Sequence, residues 1–272
     1  EPNMQATRIE LYEGLVAQSQ NRWPCLQFDI GAINSVFKGL IPSGFYYKTF
    51  MWPAKVWRVY EHFIRHVAGM GKSAEDPDPD TYTHRFKHCD VLVAGGGAAG
   101  LSAALSAGRC GARVILADDA PQFGGTLLCS NEKIDGKSTH DWIEGVLVQL
   151  NAMENVTLLV RTMVTSYYDH NMLILNERVS DHLLKPLPHQ PRQRVWQVRA
   201  KEVVLATGAL ERPLVFANND RPGVMLASAA QSYANRFGVR AGNHAVVFTN
   251  NSSAYSAASD LVAAGINVIS IV

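Results

Sequence analysis

Asp90-Val91-Leu92-Val93-Ala94 runs straight into Gly95-Gly96-Gly97-Ala98-Ala99-Gly100, and a small-residue helix opens at Ala99. A GxGxxG hexapeptide between a short apolar strand and a helix restricts the chain more than any other feature. Gly95 permits the tight turn, Gly97 lets backbone approach a pyrophosphate, and Gly100 lets the helix close on the strand. The helix N-terminus then offers unpaired N–H groups and a positive dipole end to phosphates. A second strand, Val114-Ile115-Leu116-Ala117, ends at Asp118, 18 residues beyond Gly100, where a carboxylate accepts hydrogen bonds from a ribose diol. Glycine-rich turns are common, and a solvated Asp118 beside one is the bland alternative. Agreement of the whole strand–helix–strand unit argues against it.

An acid at position 118 disfavours a 2′-phosphate by charge repulsion, which argues against NADP. FAD and NAD share an ADP half and look alike to this loop, so the residues leave both open. Asp119 makes the rim doubly acidic. Gly124-Gly125-Thr126 is a second small-residue turn able to bring backbone and a hydroxyl to the phosphates. The edge after the third strand (Val156–Val160), at Val164-Thr165, is where main chain can meet an adenine. Met163–Tyr168, Met172–Leu175 and Arg194–Val198 read as an antiparallel meander, with Pro186, Pro188 and Pro191 in its loop, and Val203–Ala206 as a further strand ending in Ala206-Thr207-Gly208.

After Pro222-Gly223 the pattern predicts a helix (Ala227–Arg236), a strand (Ala245–Phe248), a helix (Ala254–Ala264) and a last strand. Strand–helix–strand alternation twice over predicts an α/β chain of the two-dinucleotide-binding-domain, Rossmann-like type. Its divisions are 1–88 as an N-terminal interface and linker segment, 89–225 as the first dinucleotide-binding domain with its meander, and 226–272 as the start of a second, truncated one. In that second unit Thr249-Asn250-Asn251-Ser252-Ser253-Ala254 replaces the glycines, and Asn251 would crowd a pyrophosphate; a degenerate, empty site is the expectation.

Residues 1–88 break at Gly39–Gly44 and at the polar, proline-stiffened Glu75–Asp80. Between them Phe45 to His66 holds eight of the 24 aromatic residues, with Lys48, Lys55, Arg58 and Arg65. Pro53 can begin a helix, along which Val56, Tyr60, Phe63 and Val67 recur at helical spacing. Plain core, a membrane-surface helix and a partner-facing patch all suit that composition.

Lys plus Arg is 25 against 24 for Asp plus Glu, which argues against a broad nucleic-acid surface. No run of about 18 apolar residues occurs, so no membrane partner is expected. Four scattered cysteines without a CxxC pair fit reduced thiols in a cytoplasmic protein and no metal site. The His62/His66 and His84/His88 pairs lack the convergent ligands a metal needs. No catalytic Ser/His/Asp group or reactive cysteine can be assembled from spacing. The absence of a leader at Glu1 and the apolar run at the other end lead us to expect a piece of a longer protein.

Ser19-Gln20-Asn21-Arg22-Trp23-Pro24, Gly44-Phe45-Tyr46-Tyr47-Lys48-Thr49-Phe50-Met51-Trp52-Pro53 and Glu211-Arg212-Pro213 through Asn218-Asn219-Asp220-Arg221-Pro222-Gly223-Val224-Met225 resemble the alpha subunit of heterotetrameric sarcosine oxidase. The resemblance covers essentially the whole chain. It implies a complex with beta, gamma and delta subunits that demethylates sarcosine to glycine, reduces oxygen and passes the one-carbon unit to tetrahydrofolate. It further implies FAD in the beta subunit, FMN at the alpha–beta interface, and NAD in this chain. The NAD contacts would be Gly95, Gly97, Ala98, Ala99, Gly100, Asp118, Asp119, Ala120, Gly125, Thr126, Val164 and Thr165. Ala98 departs from the proline usual in relatives, which stiffens the turn without contributing a donor. Tetrahydrofolate would belong to a C-terminal domain outside this chain, and a ferredoxin-like domain would precede it; the piece alone would not turn over sarcosine. The aromatic segment becomes a subunit contact beside the flavin, with Lys48 and Arg58 as candidates for its phosphate. Alpha subunits of proline, hydroxyproline or opine dehydrogenases, and a stand-alone FAD-dependent oxidoreductase, are the alternatives.

Overall fold

A computed structural model describes residues 9–37, 39, 50, 52–71 and 77–272. The chain divides into two compact units, Glu1–Thr81 with Ser180–Arg192, and Tyr82–Val179 with Gln193–Val272.

In the first unit Asp29 accepts the Gly31 amide at 3.0 Å and starts a 3-10 turn, Ile30–Ala32, that leads into a short helix, α1 (Ile33–Val36). A second 3-10 turn, Ala54–Val56, follows Pro53 and opens α2 (Trp57–Val67). Arg192 joins Asp80 and Asp181 at 2.6 Å each. No described residue from 9 to 81 is buried. Of the four residues expected on one face of α2, Tyr60 meets Phe50 edge-on at 5.5 Å, whereas Phe63 and Val67 are 65% and 56% exposed. Lys48, most of the Gly39–Gly44 break, Phe45–Tyr47 and the start of the Glu75–Asp80 linker lie outside the described residues.

The second unit is built on β1 (Tyr82–Ala94), α3 (Ala98–Arg109), β2 (Val114–Ala117), a small hairpin of β3 (Lys133–Ile134) and β4 (Lys137–Ser138), α4 (Thr139–Asn151), β5 (Val156–Leu159), β6 (Thr162–Tyr168), β7 (Met172–Arg178) and β8 (Gln193–Leu205). Six strands form one mixed sheet in the order β5-β2-β1-β8-β7-β6. β1 is parallel to β2 and β8, while β7 is antiparallel to β6 and β8. Ser138 accepts the Asp141 amide at 3.1 Å and fixes the start of α4, as its sequence predicts.

Two strand readings change. Arg194–Val198 and Val203–Ala206 are not separate strands: both lie in the continuous β8, with Ala206 just past its end. β1 likewise begins at Tyr82, so the expected domain start at Cys89 falls inside it. The cause is a slip in the alternation of side chains. The amides of Asp90 and Val91 both donate to the Arg113 carbonyl, the signature of a bulge. Cys89 and Leu92 consequently face the same core, as do Ala200 and Val203 on β8. The β1–β8 pairing itself runs on in one register from Tyr82↔Gln193 to Ala94↔Leu205.

Beyond that slip, side-chain alternation lets one sheet serve two cores. On one face Leu92, Ile115 and Leu159 pack against Leu173, Leu175 and Val198 of the meander. On the other, Val93, Val114 and Leu116 pack against Leu101 and Ala104 of α3 and Ile143, Val146 and Leu150 of α4. Leu92, Leu101, Leu116, Leu150, Leu173 and Leu175 are fully buried, each contributing about 1.5–3 kcal/mol. A smaller layer follows: α5 (Ala227–Asn235), β9 (His244–Val247), α6 (Ser253–Ala263) and β10 (Asn267–Ile271), with β9 and β10 parallel.

Candidate dinucleotide site

The crevice opens where β1 and β2 end. Gly95 donates to the Ala117 carbonyl at 2.8 Å, turning the chain at a φ of +103°. A Cβ there would stand 2.3 Å from the Ala206 carbonyl oxygen, and one at Gly100 would stand 1.8 Å from that of Gly95. Both glycines are therefore required by the protein itself. Gly97 differs. Its φ of −75° suits any residue, and a Cβ would meet nothing nearer than the Gly125 Cα at 4.0 Å. The bare backbone at Gly97 leaves a cradle that a side chain would fill, as approach of a pyrophosphate requires.

Leu101 makes the first amide bond of α3, to the Gly97 carbonyl at 2.9 Å. The amides of Ala98, Ala99 and Gly100 precede it and have no partner within the helix. Ala98 and Ala99 are exposed and Gly100 is buried. Gly125 (φ +53°) and Thr126 are exposed on a 3-10 turn, Gly125–Cys129, whose start is held to the loop by the Gly124 amide on the Gly96 carbonyl at 2.8 Å.

Asp118 is half-buried at the end of β2. One carboxylate oxygen accepts the Gly96 amide at 2.5 Å, the other the Ala120 amide at 2.8 Å. Each retains a further acceptor position, so a diol can join this arrangement without breaking it. Asp119 is exposed, and its carbonyl takes Arg178 Nη2 at 2.6 Å. The Thr162 amide bonds to the Asp118 carbonyl at 2.7 Å, which draws β6 to the rim. By strand alternation the Val164 amide points to the same edge as that of Thr162. Thr165 is the extra residue of a bulge between Val164 and Ser166, and its hydroxyl donates to Ile174 O at 3.1 Å. The expected residues thus gather at one crevice. Sequence reasoning missed Arg178, which has no local signal, and Phe123, whose ring stands 2.2 Å from a Cβ built on Gly96 and so holds the loop from beneath.

Past the strand-end Ala206-Thr207-Gly208, Glu211 accepts the Ala227 amide at 3.1 Å and the Ser228 amide at 2.8 Å, fixing the start of α5. Burial pushes the Glu211 carboxyl up, and the bonds from Ser228 and Ala227 outweigh it and hold it below its ordinary value. In the second unit the Asn251 side chain accepts from the Ser253 amide at 3.0 Å and its hydroxyl at 2.5 Å. That side chain occupies the start of α6, where an anion would otherwise bind.

A polar cleft of about 420 Å³ adjoins the 3-10 turn, with Gln122, Leu128, Asn131, Glu132, His140 and Arg236 among its lining. Among the described residues no helix is long and apolar enough to cross a membrane, and no group of three or more His, Cys, Asp or Glu is arranged to hold a metal.

Glycine turn, helix start and Asp118 define a dinucleotide-binding unit of the FAD/NAD(P)-binding Rossmann type, and residues 90–204 match the family model for FAD dependent oxidoreductase. The chain is 51% identical over its whole length to sarcosine oxidase subunit alpha of Rhizobium meliloti (strain 1021), of which it spans 28%. It is 49% identical over 73% of its length to the same subunit of Corynebacterium sp. (strain U-96), of which it spans 21%. The chain is thus strongly homologous to a part of the sarcosine oxidase alpha subunits and spans only about a quarter of their length. Among solved structures, L-proline dehydrogenase from P. horikoshii is similar with a TM-score of 0.56 and 25% identity, over 74% of this chain and 38% of that one.

Proposed function

We propose that this chain is the NAD-holding part of the alpha subunit of a multisubunit sarcosine oxidase, an oxidoreductase acting on a CH–NH donor. The observation that carries the cofactor reading is the pairing of Gly97, whose missing side chain nothing in the protein demands, with an Asp118 carboxylate oriented by two amides. In this reading the amides at the start of α3 hold the pyrophosphate and Asp118 accepts the adenosine ribose hydroxyls. The same Asp118, with Asp119 beside it on the rim, repels a 2′-phosphate, Gly125 and Thr126 close over the phosphates, and the Val164–Thr165 edge meets the adenine.

Identity to alpha subunits supports the remaining assignments: beta, gamma and delta partners, FAD in the beta subunit, FMN at the alpha–beta interface, and tetrahydrofolate in a domain beyond this segment. When bound, NAD supplies a nicotinamide able to accept hydride. We assign it a stabilising role in assembly, because the sequence offers no acid–base pair to serve that ring. The division at 225 remains part of the proposal, while the one at 88 moves to the start of β1 at Tyr82.

Mass spectrometry of the nucleotide released on denaturation tests the reading: NAD supports it and FAD overturns it. Excess sarcosine added to the reconstituted complex should leave 340 nm absorbance unchanged, and a rise tied to turnover would overturn the stabilising role.

A further inference from the structure

We infer that Asn235 is a positioning residue for the dinucleotide: from outside the crevice it fixes the turn that faces the phosphates. This rests on the NAD reading above and adds to it a residue that touches no ligand. The 3-10 turn Gly125–Cys129 has no fully buried residue, so packing alone holds it loosely. Its start is tied to the glycine loop by the Gly124 amide on the Gly96 carbonyl. Its last carbonyl, that of Cys129, points out of the turn and accepts the Asn235 side-chain amide at 2.8 Å. Gly125 and Thr126 lie exposed between these two ties.

Asn235 closes α5 and is itself anchored. The same NH2 group reaches Asp260 Oδ2 of α6 at 2.7 Å, and one helical turn earlier Gln231 Nε2 reaches that oxygen at 2.5 Å. Both partners of Asn235 are acceptors, so only the NH2 end of its side chain fits between them, with one hydrogen for each. Gln231, Asn235 and Asp260 are all half-buried, which partly shields these bonds from competing water. Gln231 already joins α5 to α6, which leaves the bond to Cys129 as the separate contribution of Asn235. The next residue, Arg236, donates to Gln122 Oε1 at 3.3 Å, so the end of α5 meets the chain on both sides of Gly125 and Thr126. With Glu211 fixing its start, α5 is a strut held at both ends, and Asn235 is where it bears on the turn.

The test uses the full chain and ADP, whose diphosphate meets the turn in the NAD reading. Asn235→Ala should weaken ADP by about three- to tenfold in calorimetry, the size of one neutral hydrogen bond. Gln231→Ala loosens the same contact between α5 and α6 without touching the turn, and should leave ADP within twofold. In the unsubstituted chain ADP should slow amide hydrogen exchange at residues 231–236 as well as at 125–129. In Asn235→Ala at saturating ADP the slowing at 231–236 should be lost. An Asn235→Ala effect below threefold, an equal effect of the two variants, slowing at 231–236 that persists in Asn235→Ala, or none there in the unsubstituted chain overturns the inference and leaves the NAD reading intact. Where Asn235→Ala does not fold, the exchange measurement on the unsubstituted chain decides. Failure of the unsubstituted chain to bind ADP overturns the NAD reading itself and this inference with it.

Discussion

A methyl group built on Gly100 would stand 1.8 Å from the carbonyl oxygen of Gly95, with the Ala206 Cβ behind it at 3.4 Å. The contact is backbone, so no side chain can swing away. Gly100→Ala should lower stability by about 1–3 kcal/mol, the usual range for forcing a methyl into packed structure. Gly97→Ala should leave the denaturation midpoint unchanged, since its Cβ meets only the Gly125 Cα at 4.0 Å, and should weaken ADP binding. Paired denaturation and calorimetry check the contrast: one glycine serves the fold and the other the ligand.

Asp118→Ala should affect both stability and binding. It strips the acceptor from the Gly96 and Ala120 amides, at about 1–3 kcal/mol for each amide left unpaired. Asp118→Asn keeps one acceptor and should cost less stability. It still removes a charged hydrogen bond to the sugar, about 1.5–3 kcal/mol, or roughly 10- to 100-fold in affinity for ADP. Equal affinity for both variants and the unsubstituted chain would remove Asp118 from the site.

Cys89 gives the fold an alkaline limit. Burial, reinforced by the neighbouring Asp90 charge, pushes its thiol up from 9.0 to about 11. The folded chain thus holds this proton more tightly than the unfolded one. That stabilisation is fully present below about pH 9 and is lost as pH rises through 11. The denaturation midpoint of the unsubstituted chain should fall across this window, and that of Cys89→Ala should fall less. Parallel curves would remove the thiol as the cause.

Asn251→Ala should lower stability by about 0.5–2 kcal/mol, the range for losing a helix-start acceptor, because the Ser253 amide loses its partner. ADP affinity should not change. A loss of affinity would make the layer around β9 and α6 part of the nucleotide site.

Much of the first crevice was legible because its constraints are local. A strand, a glycine turn, a helix and an acid at fixed spacing leave little conformational choice, and Ser138 with Asp141 marked the start of α4 equally well. The long strands were less legible. Thr83, Arg85 and Lys87 alternate with Tyr82, His84, Phe86 and His88, so neither face of early β1 carries an apolar run. The bulge at Asp90 that carries β1 onward is set by Arg113, whose Nε also bonds the Asp90 carboxylate at 3.0 Å from 23 residues away. Arg178 at the crevice rim is likewise brought there by strand pairing alone. In the aromatic segment helical spacing found α2, but it did not show that Phe63 and Val67 would face outward.

Ala94 and Leu205 pair as the last residues of two strands that also begin as a pair, at Tyr82 and Gln193. The glycine turn is in effect the tip of a two-ply spar, rung-linked to its root. Such a spar transmits displacement instead of absorbing it. The mouth of the crevice has the stiffness of the whole ladder beneath it, and it shifts only when the meander shifts with it.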